Sequence, residues 1–330
     1  MMLELARDTL FVTLSGSQAY GTARAGSDVD LRGVCVAPLE LRVSPFRKFE
    51  QFEGALDGPL WSEIEPKLRE HATARFGLDV KIEAVVFDVA KFLLLCASAN
   101  PNALEILFAD ERDWVHSTPA WQRIYRERRR FLSREVQQTY LGYALSQLKR
   151  IRSHRSWLLT PPQKKPLRAD FGLPESSTLS SDDTRRLEPS VAEHALPSEV
   201  LAMLEAERRY RAALRQWEAY QAWKRERNPA RAELERRFGY DTKHAMHLVR
   251  LMRTGLEVLV SGELSVRRAD AAELQAIRDG GLSFEELEEL AKRLELEMQA
   301  ALKETALPAT IDRSFVEALA VETILAARPG

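Results

Sequence analysis

Residues 9 to 14 (TLFVTL) form a short, apolar, β-branched run that leads straight into Ser15-Gly16-Ser17, and a second such run opens on Asp28-Val29-Asp30. A buried strand that stops on Gly-Ser, followed by a strand that starts on two alternate carboxylates, restricts the start of the chain to a strand–turn–strand unit with a polar mouth. Asp28 and Asp30 stand two apart, so on an extended backbone both carboxylates face the same side. Two carboxylates that close repel unless a proton or a cation lies between them. Hard oxygen ligands shared with substrate phosphates suit Mg²⁺. Gly16 has no side chain to hold a bulky anion away from the backbone. Ser17 stands where a helix would begin, so its hydroxyl and the neighbouring N–H groups can hold phosphate oxygens. Taken alone, Asp-x-Asp is more often a solvated turn; the order strand, Gly-Ser, Asp-x-Asp is what makes the signal specific.

The rest of the chain divides by periodicity. Residues 28–37 are expected as the second strand and 79–87 (DVKIEAVVF) as a third, followed by a helix from about Asp88 whose apolar positions Val89, Phe92, Leu93 and Cys96 recur at helical spacing. Asp88 reads as the N-cap of that helix, and Asn100-Pro101 as the cap and first residue of the next, over 102–108. From Pro119 onward the segments 119–157, 197–227, 229–238, 241–261 and 283–304 are helical in pattern, and strand-like alternation is missing. Between them 158–197, rich in Pro, Ser and Asp, reads as a long loop. The expected fold class is α+β: an α/β-type domain over 1–116 and an all-α domain over 117–330.

The formal net charge of -1 argues at first against a nucleic-acid partner, but it is a cancellation. Residues 123–168 hold 13 basic and 2 acidic side chains, a net of +11, with Tyr125, Phe131, Tyr140, Tyr143 and Trp157 interleaved. Basic side chains among aromatics are the ingredients of single-stranded nucleic-acid binding, although the same aromatics can be helix core and the same charges a solvated face. The two cysteines, Cys35 and Cys96, lie in apolar runs without metal-ligand spacing and suit a reducing cytoplasm. Neither a signal peptide nor a membrane span is expected, so the chain reads as soluble and cytoplasmic.

Gly16-Ser17 followed by Asp28-x-Asp30 resembles the signature of the DNA polymerase β-type nucleotidyltransferase superfamily. Tyr20-Gly21-Thr22, Ser27 and Arg32-Gly33 refine the likeness to a branch of predicted nucleotidyltransferases associated with RNA repair. The resemblance continues through Lys91-Phe92, Asn100-Pro101-Asn102, Leu104-Glu105 and Gly239-Tyr240-Asp241-Thr242-Lys243-His244, with His247 and Arg250. It implies a nucleotidyltransferase core with a mixed sheet and Mg²⁺-dependent transfer of a nucleoside monophosphate from an NTP, ATP among them, with release of pyrophosphate. Two Mg²⁺ ions are implied at Asp28, Asp30 and a third carboxylate, with Mn²⁺ as a substitute in vitro. Glu83 is preferred for that third acid on its spacing to Phe92, and Asp79 is the alternative on the same strand face. Gly16, Ser17, Tyr20 and Ser27 are implied on the nucleotide side.

Lys243, His247 and Arg250 fall at i, i+4 and i+7 and share one helix face. In the context of the resemblance this basic stripe suits a triphosphate, with Lys as point charge and Arg as fork; outside it the stripe is a solvated face. RNA is the acceptor that the basic 123–168 segment favours. A protein or small-molecule acceptor, or a nucleotide-binding regulator without catalysis, is compatible with the same signature. Base preference, template dependence and oligomeric state are not legible.

Overall fold

The computed structural model describes residues 4–55, 66, 68, 69, 81–176, 198–227 and 229–327. After a short helix α1 (Leu5–Asp8), strand β1 (Thr9–Ser15) enters a one-turn helix α2 (Gly16–Tyr20), and β2 (Val29–Cys35) follows. A short helix α3 (Leu39–Arg42) leads to β3 (Gln51–Ala55), and β4 (Ile82–Asp88) runs directly into α4 (Val89–Ala97). Next come α5 (Pro101–Leu107), β5 (Trp114–Ser117), α6 (Pro119–Arg126) and the long α7 (Glu135–Leu159). The remaining helices are α8 (Ser198–Glu226), α9 (Pro229–Phe238), α10 (Thr242–Ser261), α11 (Ala271–Arg278), α12 (Phe284–Glu304) and α13 (Arg313–Ala327).

The five strands form one mixed sheet in the order β3-β4-β2-β1-β5. β2 and β4 are parallel, and the other three pairings are antiparallel. The sheet alternates as its sequence does: Leu14, Val29, Leu31 and Ala84 cluster on one face, and Phe11 and Val34 are buried on the other. Against Phe11 the ring of Trp121 on α6 stacks with centroids 3.9 Å apart, and Phe92 of α4 lies 5.7 Å from the same indole. That aromatic column fixes the helical layer on the sheet, since rings of this size bury large areas and favour defined geometries.

Two expected caps are present. Asp88 accepts from the Ala90 N–H at 3.0 Å, and also holds the Ala37 N–H and the Arg42 guanidinium, so one carboxylate joins β4, α4 and the segment after β2. Asn100 accepts from the N–H groups of Asn102 and Ala103 ahead of Pro101.

The domain boundary expected at 116/117 is not where the chain divides. One compact unit comprises 1–149 with 242–330, and the other comprises 150–241. The reason lies in packing: Trp121 stacks on a strand residue, α13 packs on α4 and α6, and Arg134 donates to the carbonyls of Leu307 and Thr305. Helical pattern alone could not say that these helices cover the sheet. The second unit has its own centre, where the rings of His154, Trp157, Tyr220 and Trp223 cluster and Glu207 is clamped by Arg168 and Arg211.

Candidate active site

The polar mouth forms because β1, β2 and β4 present their functional residues at one end of the sheet. Ser15, the last residue of β1, pairs with Asp30, and Asp30 in turn lies beside Glu83 on the parallel β4. Asp28 immediately precedes β2, where the Val29 N–H donates to the Lys81 carbonyl at 3.0 Å. Register thus places Gly16, Asp30 and Glu83 side by side. Asp79 lies outside the described residues.

Gly16 shows why the turn needs glycine. Its φ is +60°, a conformation that L side chains adopt at a cost, and a Cβ there would stand 2.5 Å from Asp30 Oδ2. The Asp30 carboxylate therefore sits directly against the backbone at the start of α2. Ser17 is half-buried, and its carbonyl accepts the Thr22 N–H at 2.9 Å, which closes the turn behind α2. Ser27 serves the following turn: its hydroxyl accepts from the Arg24 N–H at 2.9 Å.

Glu83 pairs with Lys81 at 2.7 Å, and Asp30 lies 3.8 Å from the Arg32 guanidinium. The hydrogen bond and charge of Glu83, with a smaller contribution from Asp28, hold the Lys81 ammonium above the ordinary lysine range. Glu83 and Lys81 are both half-exposed or more, so water screens their pairing. The three carboxylates are not drawn into a tight group. Among the described residues the one trio of potential ligands within 4.8 Å of one another is His154, Glu235 and Asp241, in the second unit, where Arg227 already neutralises Glu235. Like charges at close range repel one another.

Two side chains expected on the nucleotide side point inward instead. The Tyr20 hydroxyl donates to Glu105 at 2.6 Å, and Arg250 donates to the other oxygen of Glu105 while its guanidinium lies 3.8 Å from the centre of the Tyr20 ring. Tyr20, Glu105 and Arg250 are all buried. Burial, with Glu105 beside it, lifts the Tyr20 phenol well above its ordinary range. For Arg250 burial works against the charge, but Glu105 and Tyr20 outweigh it, so the guanidinium is held charged. Arg250 is spent on locking α10 to α2 and α5. Lys243 and His247, about two turns and one turn earlier on α10, are half-buried.

The basic segment is likewise distributed. Phe131 and Tyr140 are fully buried core, Arg134 is tied to backbone carbonyls, and Arg130 lies over the Phe315 ring. Residues that sequence reasoning missed include Asp113 and Arg267, bonded at 2.9 Å, and Arg268, whose backbone N–H donates to the Tyr20 carbonyl at 3.2 Å. No local motif signals them, because their partners are remote in the chain.

Residues 4–160 match the family model described as the RNA repair pathway DNA polymerase beta family. That match spans just under half of the chain. The matched span contains Gly16, Ser17, Asp28, Asp30 and Glu83, and it indicates a polymerase β-like nucleotidyltransferase. Among solved structures, a nucleotidyltransferase-like protein from Exiguobacterium sibiricum 255-15 is similar at 10% identity and a TM-score of 0.25, covering 98% of this chain and 76% of its own. That likeness is remote. No curated protein matches the chain. Among the described residues no helix is long and apolar enough to cross a membrane.

Proposed function

We propose that this nucleotidyltransferase moves a nucleoside monophosphate from an NTP to a hydroxyl at an RNA end, with Mg²⁺ and with release of pyrophosphate. The supporting observation is the register that sets Gly16, Asp30 and Glu83 side by side at one end of the sheet, with Asp28 just ahead of β2. The donor set fits a hard divalent ion: carboxylate oxygens on one face, opposed among the described residues by the partly exposed Lys81 and Arg32. Asp28, Asp30 and Glu83 are the residues assigned to hold it. When bound, a pair of such ions stabilises the entering and leaving oxygens of an in-line displacement.

The remaining chemistry falls to the chain itself. The open backbone at Gly16 and the Ser17 hydroxyl take phosphate oxygens of the NTP and orient the α-phosphorus. The acceptor hydroxyl oxygen forms the new bond to that phosphorus, and the bond to the pyrophosphate oxygen breaks with its electron pair leaving on pyrophosphate. Glu83 receives the acceptor proton and passes it to water. Lys243 and His247 are assigned to the triphosphate, because Arg250 on the same helix face lies on Tyr20 at the end of α2. Arg250 itself becomes a positioning residue. The basic 123–168 segment supports RNA as the acceptor.

The test is transfer of label from each α-labelled NTP in the presence of Mg²⁺ and total RNA, protein extract or no acceptor. Label on RNA that disappears with EDTA and in the Asp28→Ala/Asp30→Ala variant is expected. Label on protein alone, or transfer that survives in the variant, would overturn the reading.

A further inference from the structure

The catalytic mouth does not use a pocket of about 510 Å³ that opens in the same compact unit, with Phe108, Arg112, Tyr125 and Arg128 on one side and Arg267 and Arg268 on the other. Its volume falls in the range of sites that hold a small organic group. Its acids are already neutralised: Asp110 by Arg112 at 2.9 Å, and Glu263 by Arg129. Arg267 is bonded to Asp113, and Arg268 to Glu257 and Asp270.

Arg128 is held differently. One of its Nη atoms donates to the Tyr125 carbonyl at 3.0 Å, and its guanidinium carbon stands 4.0 Å from the Tyr125 ring centre, with the Phe108 ring at 5.8 Å. Among the described residues no carboxylate pairs with it. An arginine held flat on an aromatic ring keeps its charge and presents its outer donors as a preformed fork, the geometry that suits phosphate oxygens. In the opposite wall, Arg267 Nε is a buried donor without a hydrogen-bond partner among the described residues.

Position links this pocket to catalysis. The Arg267–Arg268 wall is strapped to α2: Arg267 reaches the Gln18 carbonyl at 3.5 Å and the Arg268 N–H reaches that of Tyr20 at 3.2 Å. The other wall is tied to β1 close to its mouth end, where Trp114 pairs with Thr13 and the Thr13 hydroxyl donates to the Asp113 carbonyl at 3.1 Å. The pocket thus lies at the end of the sheet that carries the carboxylates. It is reached along α2, beyond the Gly16-Ser17 turn assigned to the triphosphate.

We infer that this pocket binds a phosphodiester of the single-stranded RNA that accepts the nucleotide, with Arg128 as the principal contact; the inference rests on RNA being the acceptor. Aromatic rings beside guanidiniums offer the phosphate neutralisation and stacking surface that a single strand needs. The acceptor strand would then be gripped on one side of α2 and the NTP on the other.

The full chain and its Arg128→Gln variant are compared by fluorescence anisotropy with a labelled single-stranded RNA dodecamer across a salt series, and with a labelled ATP. The variant is expected to bind RNA about five- to tenfold more weakly and to lose about one unit of salt slope, with ATP affinity unchanged. Arg128→Lys, which keeps charge but not the fork, falls between. Crosslinking of 4-thiouridine RNA to the unaltered protein, mapped by mass spectrometry, is expected to mark 108–128 or 263–269, and this does not depend on how well the variants fold. A folded Arg128→Gln protein with unchanged RNA affinity overturns the inference. So do a loss of ATP affinity alone and crosslinks that fall elsewhere. An unaltered protein that binds no RNA overturns both this inference and the RNA acceptor, whereas transfer to RNA with an indifferent Arg128 overturns the pocket alone.

Discussion

Within one compact unit, α2 separates two sets of charged side chains that are treated in opposite ways. Along its C-terminal side Tyr20, Glu105 and Arg250 are buried and mutually satisfied: both Glu105 oxygens are bonded and the guanidinium covers the ring. At its N-terminal side Asp28 and Glu83 are exposed and Asp30 half-buried, with long or solvated cations nearby among the described residues. A buried charge persists only when fully compensated, and compensation removes it from chemistry. An exposed, loosely paired carboxylate keeps its capacity for a ligand, and the turn that brings Gly16 against Asp30 aims that capacity at one place.

The contrast can be broken most sharply by Asp28→Ala/Asp30→Ala. Transfer of labelled nucleotide is expected to fall by at least about 10³-fold, while the urea unfolding free energy moves by no more than about 0.5 kcal/mol. A large loss of stability would show that these acids hold the fold. Arg250→Met should do the reverse, costing about 3–5 kcal/mol in urea unfolding because it strands the Glu105 carboxylate in the interior. Adding Glu105→Leu should restore part of that loss, and a failure to do so would mean the two side chains act independently.

Gly16→Ala lies between the two regimes. The left-handed backbone costs about 1–2 kcal/mol, and displacement of the Asp30 carboxylate is expected to lower kcat by about 100-fold. Equal losses in stability and rate would reduce Gly16 to a backbone role. The smallest effect is expected from Lys81→Gln: no measurable change in unfolding midpoint, and half-saturation at about two- to threefold lower Mg²⁺, since a competing cation on Glu83 is gone. Half-saturation at higher Mg²⁺ would show that Lys81 organises the site instead.

The contrast also marks what the sequence could disclose. Gly16, Ser17, Asp28 and Asp30 are close in the chain, so alternation and turn chemistry bring them together without long-range knowledge; Glu83 followed from its spacing to Phe92. Arg250 was legible as part of a stripe but not as a buried partner, because Glu105 lies 145 positions away. Strand β3 (QFEGA) carries a glutamate and a glycine and lies at the sheet edge, and β5 is only four residues long, so neither shows a clear period. Helix α13 escaped for a different reason. Leu319 is buried while Val321 and Leu325 are largely exposed, which leaves no single apolar stripe to detect.

The unit that carries the acidic mouth is assembled from two stretches of chain, 1–149 and 242–330, with the second unit made between them. During synthesis the strands and the acidic mouth emerge early, yet Glu105 waits for Arg250 and α4 waits for α13. A ribosome that stalls after residue 160 would therefore release a polypeptide holding every assigned carboxylate but unable to complete the core that aims them. The order of the chain thus makes the acidic mouth early and its full support late.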